Sequence, residues 1–151
     1  MGVRFFSRRK VPRKNALFQF AQRVLRRLPA LQGSGEINIV FVSDREIQSL
    51  NRRFLGENRT TDVIAFSYDR RNHARDAPFG DIYVSIDSAK KEAARGGYAL
   101  VCELALLLVH GLLHLAGYDD HSARDKARMW KAQKRLLRAS GGELAPPDFQ
   151  S

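Results

Sequence analysis

His110-Gly111-Leu112-Leu113-His114-Leu115-Ala116-Gly117-Tyr118-Asp119-Asp120-His121 holds three of the chain's four histidines. His110 and His114 stand at i and i+4, so on a helix their side chains share one face, one turn apart. Two imidazoles so placed can hold one divalent metal. Gly117 can take the left-handed conformation that ends a helix, and Asp119, Asp120 and His121 beyond it offer a third ligand. Two helical ligands, a turn and a third ligand describe an open metal site. A lone histidine on an apolar helix is usually a core residue. Two at this spacing, followed by glycine and an acid-histidine cluster, are not explained that way.

The surrounding pattern places this stretch in a fold. The helix that bears it runs from about Tyr98 to Ala116, and its apolar residues nearly encircle it around Leu104–Val109, which predicts a central buried helix. Upstream, Asp87 or Ser88 caps a helix through about Arg95, broken at Gly96-Gly97. Gly80-Asp81 opens a strand over Ile82–Ile86, and residues 69–79 read as a loop with His73 on its surface. Val63–Phe66 reads as a buried strand. Ser43-Asp44-Arg45-Glu46 starts a helix with a capping box. That helix carries Ile47, Leu50, Phe54 and Leu55 on one side and ends near Gly56. Residues 36–42 are a β-branched strand, and 13–28 an amphipathic helix closed by Pro29. Downstream, 122–139 forms a last helix with Ala127, Trp130, Leu136 and Leu137 as apolar contacts. Residues 1–12 and 141–151 are expected to be poorly ordered. The order α-β-α-β-β-α-α-α predicts one α+β domain: a small mixed sheet covered by helices, its second and third strands antiparallel neighbours.

At 151 residues the chain is large enough for a single core. Twenty-six Lys and Arg against 16 Asp and Glu give a net charge of +10, which points to an anionic partner, nucleic acid before an anionic membrane surface. The polar face of the 13–28 helix is almost wholly Arg and Lys and is read as a phosphate-contacting face. Cys102 is the single cysteine, so no intramolecular disulfide can form; it reads as a small core residue. No secretory signal is visible. The apolar run Leu104–Val109 falls far short of the ~20 residues of a membrane span. The expectation is a cytoplasmic protein that binds no membrane.

A metal with three protein ligands and an open position can lower the pKa of bound water or polarise a carbonyl or phosphoryl oxygen. The HExxH zinc proteases need glutamate directly after the first histidine, and Gly111 stands there. Hydrolysis of a phosphodiester in a basic groove fits the charge better.

The stretch from His110 to Asp119 resembles the HGxLHLxGYDH signature of the YbeY family, bacterial rRNA maturation factors and metal-dependent endoribonucleases. Leu50-Asn51-Arg52-Arg53-Phe54-Leu55-Gly56 with Thr61-Asp62-Val63-Ile64-Ala65-Phe66 resembles its LNxxYRG…TDVLSF segment. Gly80-Asp81-Ile82-Tyr83-Val84-Ser85 resembles its GDIxIS segment, and Met129 and Gln133 fall where the family's last helix has Met and Gln. The resemblance covers about residues 36–137. It implies a single-strand-specific endoribonuclease acting in 16S rRNA 3′-end maturation and ribosome quality control. It further implies one Zn2+ as the metal, RNA as the substrate, and the small ribosomal subunit with its assembly factors as partners.

Two departures bear on the site. The family's third histidine lies ten residues after its first; ten after His110 is Asp120, with His121 one later. Asp120 is the ligand if the turn keeps the family's length, His121 if it carries one more residue. Where the family has an arginine thought to contact substrate, this chain has Leu55, and Arg53 or Arg59 is the candidate to supply the charge. His114 and Asp62 complete the catalytic candidates, Asp62 as a group that orients water or a ligand. Glu103, two helical turns before His110, is a weaker candidate for a supporting or base role. The alternative from another class is an rRNA-binding assembly factor that does not cut, its metal only pinning the central helix to the chain beyond Gly117. A metalloprotease lacking its glutamate is the third reading.

Overall fold

The computed structural model describes residues 2–32, 35–56, 61–68 and 79–149. Strand β2 (Ile37–Val42) and strand β4 (Gly80–Ser85) run parallel at the middle of a four-stranded sheet. Alternation sorts their side chains: Ile37, Ile39, Phe41, Ile82 and Val84 turn into the main core, each 0–3% exposed. Val40, Val42 and Tyr83 point to the other face. Strand β3 (Val63–Ser67) pairs antiparallel with β4, from Val63 opposite Val84 to Ser67 opposite Gly80, as expected. It is an edge strand, however, and only Ile64 is fully buried.

The opposite edge corrects one expectation. Residues 1–12 were expected to be poorly ordered, but Val3–Ser7 forms strand β1, parallel to β2 with Val3 opposite Ile37. Val3 and Phe5 turn inward between outward-facing Arg4 and Phe6. The Phe5 ring meets Phe18 and Phe41 edge to face at 5.4 and 5.2 Å. The Val3 N–H donates to Gln22 Oε1 at 3.1 Å, tying the strand to helix α1 (Lys14–Arg26). The tail departs from expectation as well. Gly142–Leu144 and Pro147–Phe149 form 3-10 turns that bury Leu144, Ala145 and Phe149. Trp130, expected among the apolar contacts, is 48% exposed and meets the Phe149 ring edge to face at 5.0 Å.

Helix α2 (Asp44–Leu55) begins with the Ser43/Glu46 capping box and ends at Gly56 in the left-handed conformation, φ 69°. Its apolar side is narrower than the spacing predicts. Ile47 is buried with Val42 and Ile64, while Phe54 and Leu55 are 60% and 53% exposed. This one helix packs on the β3–β4 side of its sheet face, so its last turn runs past the apolar surface available to it. Helix α3 (Ile86–Gly96) starts two or three residues earlier than expected, because Ser85, rather than Asp87 or Ser88, caps it.

The Asp44 carboxylate holds this corner. It accepts hydrogen bonds from Ser85 Oγ at 2.6 Å, Ser88 Oγ, and Lys91 Nζ at 3.1 Å. Burial alone would raise its pKa, but these donors outweigh burial and hold it below 3.8. A carboxylate lowered in the folded state contributes stability above its unfolded pKa and loses it as pH falls through the folded value. Asp44→Asn is therefore expected to lower stability by about 1–2 kcal/mol at pH 7. The gap should close towards pH 2 in urea unfolding followed at both pH values.

Helix α4 (Leu100–Leu115) packs on β3, β4, α1, α3 and helix α5 (Ala123–Ser140). Leu104, Leu108, Leu112 and Leu113 are wholly buried, which makes α4 the expected central helix. Gly111 allows its close approach to the sheet: a Cβ there would lie 2.7 Å from Ile82 Cγ2. The helix ends in a Schellman turn, with Tyr118 N–H on the Leu113 carbonyl, Gly117 N–H on the His114 carbonyl, and Gly117 at φ 101°. Among the described residues no single helix is long and apolar enough to cross a membrane.

Candidate metal centre

His110 and His114 leave α4 on the side that faces α5 and the chain after Gly117. Each side chain is 28% exposed, so the pair lies at the rim of the core with access to solvent. Each ring is fixed through Nδ1. His114 Nδ1 lies 3.1 Å from the Tyr118 carbonyl, which can only accept, so Nδ1 carries the proton. His110 Nδ1 donates to Gln133 Oε1 at 2.7 Å. In both rings Nε2 is left as a bare lone pair, and the two Nε2 atoms face each other at 3.0 Å. Burial, first, and the neighbouring His114 hold the His110 pKa below its ordinary value, which keeps the imidazole neutral.

Asp120 closes the group. Its Oδ2 lies 3.8 Å from His110 Nε2 and 3.6 Å from His114 Nε2. These three residues each offer one donor atom within 4.8 Å of the others. Two lone pairs and a carboxylate oxygen converging on one point repel unless a cation lies between them. Their separations are near the ~3.3 Å edge of a tetrahedron built on bonds of about 2.0–2.1 Å. The donor set therefore fits a single divalent metal.

The Schellman turn decides which residue is presented. It consumes Gly117 and Tyr118, and Asp120 then comes back under the histidines. His121 is 87% exposed and points to Asp119 Oδ1 at 3.3 Å. Asp119, Asp120 and His121 form a second, more exposed group of candidate donors that shares Asp120 with the first.

The remaining candidates are distributed unevenly. Asp62, half-buried just before β3, lies beside Ser88 and interacts electrostatically with His110. Its pKa is raised by burial, then by the Glu92 and Asp44 charges, against the lowering effect of Ser88 and His110. Glu103 is 4% exposed, takes the Tyr98 hydroxyl, and is raised chiefly by burial; Asp62 is one of the charges acting on it. It is not among the residues of the donor group. Arg53 is exposed, sits over the Phe54 ring at 5.6 Å, and lines a groove with Phe6, Val40, Val42 and Tyr83. That groove is on the sheet face opposite α4, so the structure does not bring Arg53 to the histidines. Arg59 and His73 lie outside the described residues.

Sequence reasoning noticed Gln133 but gave it no role. The signal is a 6%-exposed glutamine within the buried stripe Met129, Ala132, Leu136 and Leu137 of α5. A buried amide on an apolar face needs a partner. Gln133→Leu keeps the volume but removes the acceptor that fixes His110. It is expected to weaken metal affinity about 10–100-fold, the usual effect of losing such a support, with folding intact. Titration against a competing chelator measures this. The Tyr118 carbonyl, a backbone group, leaves no mark in the sequence.

A family model described as Endoribonuclease YbeY matches residues 6–141. A protein of Elusimicrobium minutum, named Endoribonuclease YbeY, is 37% identical over 142 residues, covering 91% of this chain and 98% of the relative. One of the same name from Halalkalibacterium halodurans is 38% identical over 119 residues, covering 73% and 75%. Among solved structures, the solution structure of a Thermotoga maritima protein superposes with a TM-score of 0.65 at 27% identity, covering 93% of this chain and 90% of that one.

Proposed function

The chain belongs to the endoribonuclease YbeY family, and from that premise we propose that it is a metal-dependent endoribonuclease cutting single-stranded RNA. Its setting in this reading is the cytoplasm, in maturation of the 16S rRNA 3′ end and in ribosome quality control, beside the small subunit and its assembly factors. The observation that carries the metal half of the proposal is the pair of bare Nε2 atoms facing each other at 3.0 Å with Asp120 beside them.

His110, His114 and Asp120 are the residues that would hold the metal, and zinc matches two imidazoles and a carboxylate. A metal there supplies a Lewis acid for a phosphoryl oxygen and makes water a nucleophile near neutral pH. The chain's own contribution is positional. Gln133 and the Tyr118 carbonyl hold both rings with Nε2 outward, so no side-chain rearrangement is needed for binding. Asp62, within electrostatic reach of His110, is in this reading the group that orients water beside the centre. The net charge of +10 favours a polyanionic substrate.

A specific feature keeps the non-cutting assembly factor in view: Leu55, at the end of α2, replaces the arginine that the family resemblance would place there. Purified protein offered single-stranded RNA separates the two readings. The expected result is cleavage that stops with chelator and returns with added zinc. Cleavage unaffected by chelator would overturn the metal-nuclease proposal, and tight binding without cutting would favour the assembly factor.

A further inference from the structure

Helix α5 carries its chemistry on two faces. The inner face holds Met129, Gln133, Leu136 and Leu137 against the core, with Gln133 on His110. The outer face presents Arg124, Arg128, Lys131, Arg135 and Arg138, all exposed. Their spacing of 4, 3, 4 and 3 residues puts the five cations in one stripe along the helix.

Two features set this stripe apart from an ordinary solvated face. Solvated helices usually alternate charge sign at i, i+4, whereas each step here sets like charge against like, which opposes helix formation. Asp125 is the sole acid on α5. Among the described residues, ion pairs of Lys and Arg lie elsewhere, at Arg4–Glu36, Arg9–Asp87, Arg13–Glu143, Lys91–Asp44 and Arg95–Glu92. The stripe is also anchored at the metal centre. The Arg128 guanidinium lies 5.3 Å over the Tyr118 ring, and the Tyr118 carbonyl fixes His114. From Arg124 to Arg138 it spans about 21 Å along the helix, the length of about six stacked nucleotides.

We propose that the outer face of α5 is a phosphate track, along which the backbone of single-stranded RNA runs away from the metal centre. The track confers affinity without reading sequence, since each cation meets a phosphate rather than a base. It makes longer RNA the better substrate. The inference rests on the RNA reading of the centre and adds where the strand lies.

The chain's single tryptophan, Trp130, sits exposed on the same helix and reports binding by its fluorescence. Stopped-flow fluorescence of the metal-loaded protein, read ahead of any cleavage, compares oligouridines of about 4 and about 16 nucleotides across a salt series. The variant Lys131→Gln/Arg135→Gln/Arg138→Gln removes three stripe charges while relieving like-charge repulsion, so the helix is retained. A control, Lys10→Gln/Arg45→Gln/Lys90→Gln, removes three exposed charges from the chain before α1, from α2 and from α3. The expected result is that the stripe variant loses about 2 from the slope of log affinity against log salt, at about 0.7 per phosphate contact. It also loses the preference for the longer oligomer, and the control keeps both. An unchanged slope and length preference in the stripe variant, or an equal loss in the control, would overturn the track. If wild-type protein never cuts the oligomers yet the stripe variant still loses slope, the nuclease reading fails and the track stands.

Discussion

His114→Ala is expected to abolish metal-dependent RNA cleavage while leaving the fold in place. His114 supplies one of the two converging Nε2 atoms and is tied down by the Tyr118 carbonyl. Removing groups that merely support a metal ligand lowers affinity or activity about 10–100-fold, so losing the ligand itself should cost at least about a hundredfold. The structural penalty is small by comparison. The side chain is partly exposed, and the lost hydrogen bond is worth about 1 kcal/mol. Rates on single-stranded RNA, set beside circular dichroism of the same sample, separate the two effects. A variant that folds and cuts as well as wild type would remove His114 from the chemistry.

Gly111→Glu carries the largest expected effect on stability. The substitution would create the sequence pattern of a zinc protease, but the position faces the wrong way for that role. A Cβ at 111 already meets Ile82 Cγ2 at 2.7 Å, and Ile82 is wholly buried in β4. Forcing α4 away from the sheet costs about 1–3 kcal/mol for overpacking. Burying an unpaired carboxyl against Ile82 adds several more. Against a total stability of about 5–15 kcal/mol, such a variant should unfold or lose most of its margin. Gly111→Ala should be milder, because about 1 kcal/mol of helix propensity offsets part of the clash. Urea unfolding of both variants measures these losses; a Gly111→Glu protein as stable as wild type would contradict the close packing of α4. The protease reading fails on the same geometry, since residue 111 belongs to the sheet contact.

Much of this was legible where local chemistry dictates structure. Ser43 and Glu46 announce their capping box, Gly56 and Gly117 their left-handed turns, and the i, i+4 histidines their shared face. The readings that fell short depend on partners distant in sequence. β1 is hidden because Val3 and Phe5 are two apolar residues in a cationic segment, and only Phe18 and Phe41 give them a surface to join. Phe54, Leu55 and Trp130 look like core by residue type, but the sheet face under α2 and the tail under α5 are too small to cover them. Ser85 caps α3 because its hydroxyl is also held by Asp44, a residue of another element. Asp120 and His121 differ by one position, and the choice between them rests on how many residues the turn after α4 consumes. No periodicity encodes that number.

The nuclease chemistry depends on a metal held by His110, His114 and Asp120. Zinc content and RNA cleavage of Asp120→Ala and His121→Ala proteins, purified side by side, test it most directly. Asp120→Ala is expected to lose both zinc and cleavage, at least about tenfold, while His121→Ala matches wild type. Loss in His121→Ala with Asp120→Ala unaffected would contradict it.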